Sequence, residues 1–228
     1  IILLRLNFIN LMKAIIFGSI GTLVETSEIQ RKSFNQAFKE MDLDWYWDKE
    51  EYKTLLKKSG GIKRVEYFAN LNKDLIDSKK VRELKTQIFN KFLKSNIISP
   101  RDGVFDVIEH AKNNDIKIGL ASTTTIENVD AIFTTLGNKI EKKDFNFIGN
   151  NTLIERIKPH PDIYIKAIKE LDVESEECIA IEDSVESAMS AYTAEIECIA
   201  FPGLFHMDDD FSFCKRILKK LDISILTK

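Results

Sequence analysis

From Ser99-Pro100 onward the chain alternates short apolar runs with helical periodicities, and this alternation limits its fold more than any other feature. Residues 116–121, 145–148, 178–181 and 196–201 read as strands. Among and around them lie helical stripes: Val104, Val107, Ile108 and Ala111; residues 126–136; Tyr164, Ala167, Ile168 and Leu171 within 163–171; and residues 184–192. A last helix is expected over 211–221, with an edge strand over 223–226. Strand and helix in alternation require crossover connections, so the pattern predicts an α/β fold with a parallel sheet covered by helices on both faces. Ligands of such sheets bind beyond the carboxyl ends of the strands. One further strand precedes this region, at residues 13–17, apolar as befits a strand buried on both sides. Gly18 and Gly21 then open it into a loop.

Between that first strand and residue 100 the pattern is helical, with little strand character. Ser27-x-x-Gln30 has the spacing of a capping box, and Phe34, Ala37, Phe38 and Met41 share a face. Val81, Leu84, Ile88 and Phe92 form a second stripe, and Gly60-Gly61 breaks the chain between helices. With 228 residues the protein can bury one good core and carry a smaller appended unit. The expected division is a core of residues 12–25 and 100–228 with a helical insert of about 26–99.

The 33 basic and 36 acidic residues are mixed along the chain and leave a net charge of -3. No basic patch points to nucleic acid or to an anionic membrane; runs such as Lys57-Lys58 read as solvated helix faces. Cys178, Cys198 and Cys214 are widely spaced, without Cys-x-x-Cys, and read as small buried hydrophobes rather than disulfide or metal partners. Residues 1–11 are apolar but contain Arg5, Asn7 and Asn10, are too short to span a bilayer, and lack the layout of a signal peptide. They read as an extension upstream of Met12, and a cytoplasmic location is expected.

Met12-Lys13-Ala14-Ile15-Ile16-Phe17, followed by Gly18-Ser19-Ile20-Gly21-Thr22-Leu23-Val24-Glu25, resembles the opening of the haloacid dehalogenase superfamily. The resemblance implies a Rossmann-like core with a type 1 helical cap. In that family the first strand ends in Asp-x-Asp-Gly-Thr, the first Asp being nucleophile and metal ligand, the second the general acid/base. Here those two positions hold Gly18 and Ile20. The other motifs follow in order. Leu120-Ala121-Ser122-Thr123 matches the second motif, whose hydroxyl (here Ser122) holds phosphate; a Ser after a strand also serves as a turn or cap residue. Lys158-Pro159-His160-Pro161-Asp162 matches the Lys-Pro-x-Pro-Asp segment of the β-phosphoglucomutase and phosphoglycolate-phosphatase branch, with Lys158 the phosphate-facing charge and His160 a bystander. Pro161 would equally suit the first turn of a helix.

Glu182-Asp183 at the end of the fourth strand matches the family's paired carboxylates, which hold Mg²⁺ directly or through water. Paired carboxylates beside a substrate phosphate suit an octahedral Mg²⁺, whereas helix capping needs only one of Asp183 and Ser184. Gly61-Ile62-Lys63-Arg64 resembles the Gly-x-x-Arg with which sugar-phosphate members grip the distal part of a substrate; an Arg on a solvated helix is the plainer reading. Ser187 and Ala194-Glu195 stand where the family has Gly and Ala-Gly, which implies altered packing there.

Covalent phosphoryl transfer needs an in-line carboxylate and a proton donor, and neither Gly18 nor Ile20 supplies one. Ser19 is expected to point away, because neighbours in an extended chain alternate sides. Gly21 and Thr22 backbone amides, Ser122 and Lys158 remain as an anion-binding set, with Mg²⁺ weakened by the loss of the residue-18 carboxylate. Two functional classes stay open: a non-catalytic relative that binds a phosphorylated small metabolite or a protein partner, and a Mg²⁺-assisted hydrolase with altered chemistry at Lys158, Glu182 and Asp183.

Overall fold

The computed structural model describes residues 12–58 and 60–226; the expected upstream extension, residues 1–11, lies outside them. Strand β1 (Ala14–Phe17) leads into a four-residue helix α1 (Ile20–Leu23). Helices α2 (Ser27–Glu40), α3 (Lys49–Leu56), α4 (Gly61–Asn72) and α5 (Ser78–Lys94) follow. The remainder runs α6 (Val104–Asn113), β2 (Lys117–Leu120), α7 (Ile126–Leu136), β3 (Phe147–Ile148), α8 (Asp162–Leu171), β4 (Cys178–Glu182), α9 (Val185–Thr193), β5 (Glu197–Ala200) and β6 (Arg216–Ile217). All pairings are parallel in the order β3-β2-β1-β4-β5-β6.

The period of two along each strand divides the core. Ile15 and Phe17 of β1 with Ile179 and Ile181 of β4 face one helical layer; Ala14, Ile16, Cys178 and Ala180 face the other, which holds Ile163, Tyr164 and Ala167 of α8. Helices α2–α5 have an aromatic cluster of their own around Phe34, Phe38, Trp47 and Tyr52. Phe205, from the loop after β5, inserts into it with its ring 5.5 Å from that of Tyr52.

Several local expectations are corrected. Residues 211–221 are not helical: Asp210 Oδ1 takes the Ser212 amide in a turn, and Arg216–Ile217 pairs with β5, so sheet pairing outweighs the helical spacing. Residues 223–226 form a 3₁₀ turn instead of an edge strand. The capping box is absent; Thr26 is the N-cap of α2, and Glu25 Oε1 accepts from the Ser27 amide at 2.8 Å. On α5 the buried stripe is Val81, Lys85, Phe89 and Leu93, while Phe92 is exposed. The first-strand loop closes into α1, because Ser19 Oγ accepts from the Gly21 amide and caps it.

Candidate functional site

A cleft of about 630 Å³ opens at the carboxyl ends of β1 and β2 and is walled on its far side by α4 and α5. Gly18, Ser19, Ile20, Ser122, Thr123 and Lys158 form its floor; Arg64, Arg82 and Lys85 face it from the helical block. Its size is that of a small-molecule site.

Register alone places the central cluster. Phe17 pairs with Ile181, and the Gly18 amide donates to Ile181 O at 2.8 Å, so residues 18 and 182 are next neighbours on adjacent strands. Alternation puts both on the Tyr164 face of the sheet. With no side chain at Gly18, the Glu182 carboxylate fills the space: a Cβ built there would lie 1.9 Å from Glu182 Oε1 and 2.4 Å from the Tyr164 hydroxyl. Glu182 is fully buried; its Oε1 accepts from Lys158 Nζ at 2.5 Å and from Tyr164 OH at 2.6 Å. Lys158 Nζ also donates to Gly18 O at 2.5 Å. Glu182 Oε2 has no partner. Burial pushes the Glu182 carboxyl up to about 7; the Lys158 ammonium opposes this, and the neighbouring Asp183 charge adds to it. Burial first, and the carboxylate second, hold the Tyr164 hydroxyl well above its ordinary range.

Ser19 does not point away. The chain turns into α1 at this residue, and Ser19 Oγ donates to Asp183 Oδ1 at 2.8 Å while accepting from the Gly21 amide at 3.0 Å. The Thr22 amide and hydroxyl both go to Ser19 O, at 3.2 and 2.6 Å. Gly21 and Thr22 therefore have no amide left for an anion, and neither lines the cleft. Ser122 is buried on the cleft floor, its Oγ accepting from the Thr124 amide at 3.2 Å in a turn, while Thr125 caps α7, so Ser122 is both turn residue and floor residue. Arg101 secures the floor from behind: its guanidinium donates to Gly21 O, Phe201 O and Pro202 O at 3.1, 2.8 and 2.6 Å and lies 3.5 Å over the Phe201 ring.

Mg²⁺ needs several oxygen donors in near-octahedral array. Neither Glu182 nor Asp183 lines the cleft, Gly18 offers only a carbonyl already bonded to Lys158, and Ser19 occupies Asp183 Oδ1. Among the described residues no three acidic, His or Cys side chains converge as a metal site. The arrangement does not fit the ion.

Arg64, the one cation of the helical block expected here, does face the cleft, with Nη1 3.5 Å from the Tyr52 hydroxyl and Nε donating to Lys58 O at 3.2 Å. Arg82 and Lys85 stand beside it and escape the sequence reading. Burial, then the Arg64 charge, lowers Arg82; burial, then Arg82 and Arg64, lowers Lys85 well below the ordinary lysine range. The four-residue spacing of Val81, Lys85, Phe89 and Leu93 is the signal that could have found Lys85: a lysine in phase with an apolar stripe.

Residues 15–201 match the haloacid dehalogenase-like hydrolase family. Protein CbbY of Cereibacter sphaeroides is 34% identical over 211 residues, covering 91% of this chain and 92% of its own. The β-phosphoglucomutase of Bacillus subtilis is 27% identical over 183 residues, covering 79% and 78%. The crystal structure of CbbY from Rhodobacter sphaeroides with phosphate superposes with a TM-score of 0.83 at 32% identity, covering 92% of this chain and 95% of that one. A mutant of the same protein is known with xylulose-(1,5)-bisphosphate, again at a TM-score of 0.83 and 32% identity. The parallel sheet, the cleft at its strand ends and these matches agree: the chain belongs to the haloacid dehalogenase-like hydrolase family.

Proposed function

We propose that this protein binds a phosphorylated sugar, with a bisphosphate the best fit, and does not turn it over through an aspartyl-phosphate. One observation carries the reading: the space of the residue-18 side chain is filled by Glu182, locked to Lys158 and Tyr164, while cations face the cleft from both ends. Helices α2–α5 then act as the cap, with Arg64 and Arg82 receiving the distal phosphate through charge-assisted hydrogen bonds. Ser122 and Lys158 face the proximal one. The buried Asn128 Oδ1 on the cleft wall has no partner and suits a sugar hydroxyl. The bisphosphate bound by CbbY and the phosphate in its crystals support this ligand class.

The alternative, hydrolysis by metal-activated water, draws on Glu182 and Asp183. Neither carboxylate lines the cleft, Glu182 being tied to Lys158 and Tyr164 and Asp183 to Ser19, which favours the binding reading. Calorimetric titration with xylulose-(1,5)-bisphosphate, a sugar monophosphate and inorganic phosphate tests it. The bisphosphate is expected to bind tightest, with Arg64→Ala weakening it by about tenfold or more, the loss of one charge-assisted contact. Equal affinity for mono- and bisphosphate, or none for either, overturns the assignment.

A further inference from the structure

Lys85 is an amine on the cleft wall whose surroundings differ from those of Lys158. It rises from α5 into the cleft and is 4% exposed. Nζ donates to Gln30 Oε1 at 3.0 Å and lies 5.1 and 4.6 Å from the ring centroids of Phe34 and Phe89. The described residues place no carboxylate against it, and the charges that reach it, Arg82 and Arg64, are positive. Arg82 can lie along the wall because residue 61 is glycine: a Cβ there would stand 2.7 Å from Arg82 Cδ. The ring faces return part of the lost hydration of an ammonium, but burial and two like charges outweigh them and favour the free amine. Lys158 is the contrasting case, its ammonium held by Glu182 and Gly18 O.

A buried amine with no carboxylate partner, set on the cleft wall beside two guanidiniums, is a nucleophile next to an anchor for phosphate. We propose that Lys85 captures phosphorylated aldehydes and ketones as an imine, with Arg64 and Arg82 holding the phosphate. The proposal rests on the reading of the cleft as a phosphorylated-sugar site and adds the carbonyl as the group recognised. In the step, the Nζ lone pair attacks the carbonyl carbon and the C=O pair moves to oxygen, which takes a proton from nitrogen to give a carbinolamine. The hydroxyl then leaves with a second proton as water, and C=N forms. No oxidant or reductant is needed, and hydrolysis reverses it. An open-chain sugar phosphate offers such a carbonyl; a cyclic one does not.

Pyridoxal 5′-phosphate is a suitable probe. The full chain is incubated with it, reduced with borohydride to fix any imine as a secondary amine, digested and mapped by mass spectrometry. The label is expected on Lys85, lost in Lys85→Arg, and reduced about tenfold when pyridoxal without phosphate replaces the probe or when Arg82 is changed to Ala. Circular dichroism confirms that each variant is folded, and Lys85→Met serves if Lys85→Arg is not. Label spread over exposed lysines with Lys85 unmodified, or equal labelling by the phosphate-free aldehyde, overturns the proposal. A melting shift with xylulose-(1,5)-bisphosphate but no label on Lys85 refutes the imine and leaves the binding reading standing; absence of both refutes both.

Discussion

Replacing Gly18 by Asp places a Cβ 1.9 Å from Glu182 Oε1, 2.0 Å from Glu182 Cδ and 2.4 Å from the Tyr164 hydroxyl. No contact of that kind survives in a folded protein, so Glu182 has to leave. It gives up the Lys158 ion pair and the Tyr164 hydrogen bond, both buried. Breaking a buried pair costs about 3–5 kcal/mol. The new carboxylate lies beside the same ammonium and recovers part of this, leaving a net loss of about 2–4 kcal/mol. For a chain of this size that corresponds to about 5–15 °C in melting temperature. Urea and thermal unfolding of Gly18→Asp measure the loss. The second variant, Gly18→Asp with Glu182→Ala, is expected to recover at least half of it, because the displaced carboxylate is gone and Lys158 keeps one partner. A Gly18→Asp protein within about 0.5 kcal/mol of the native one would show that Glu182 does not fill the residue-18 space, and the reasoning would fail.

Two further changes probe the neighbourhood. Lys85→Met removes a buried amine without a counter-charge and is expected to stabilise the fold by about 1–3 kcal/mol. A lysine whose folded-state pKa is lowered binds fewer protons folded than unfolded, so its contribution to stability rises with pH from its folded pKa up to its unfolded value near 10.4. The advantage of Lys85→Met should therefore shrink from about pH 6 to about pH 9.5 in urea unfolding, and a constant difference would contradict the assignment. Arg101→Lys keeps the charge but loses the fork that spans three carbonyls and the stacking on Phe201, for about 2 kcal/mol by chemical denaturation; a loss below about 0.5 kcal/mol would make that clasp incidental.

The parallel sheet was legible because its central strands are short, mostly apolar runs and its helices amphipathic, two periods that do not mimic each other. The helix expected over 211–221 failed because Phe211, Cys214 and Leu218 have helical spacing, whereas the last strand is set by its pairing with β5. Of the site, the family resemblance points to Ser122, Lys158 and Arg64, and all three line the cleft, although a solvated helix is the plainer reading of Arg64 from sequence. Ser19 departs from the expectation because alternation holds only within a strand, and β1 ends at Phe17, two residues before the chain turns into α1 at Ser19. The closure of Glu182 over Gly18 depends on cross-strand register, which no single stretch of sequence displays. Glu195 illustrates the reverse: standing where the family has Gly, it is held at φ 60, a left-handed conformation that glycine adopts without strain.

Phosphate release from xylulose-(1,5)-bisphosphate, measured with Mg²⁺ beside the CbbY protein of Cereibacter sphaeroides under single-turnover conditions, decides whether this cleft binds without covalent catalysis. The expected result is saturable binding with release slower by on the order of 10⁴–10⁶, the cost of removing a nucleophile from a cooperative site. Release within about tenfold of the relative's rate would contradict it and return Glu182 and Asp183 to the chemistry.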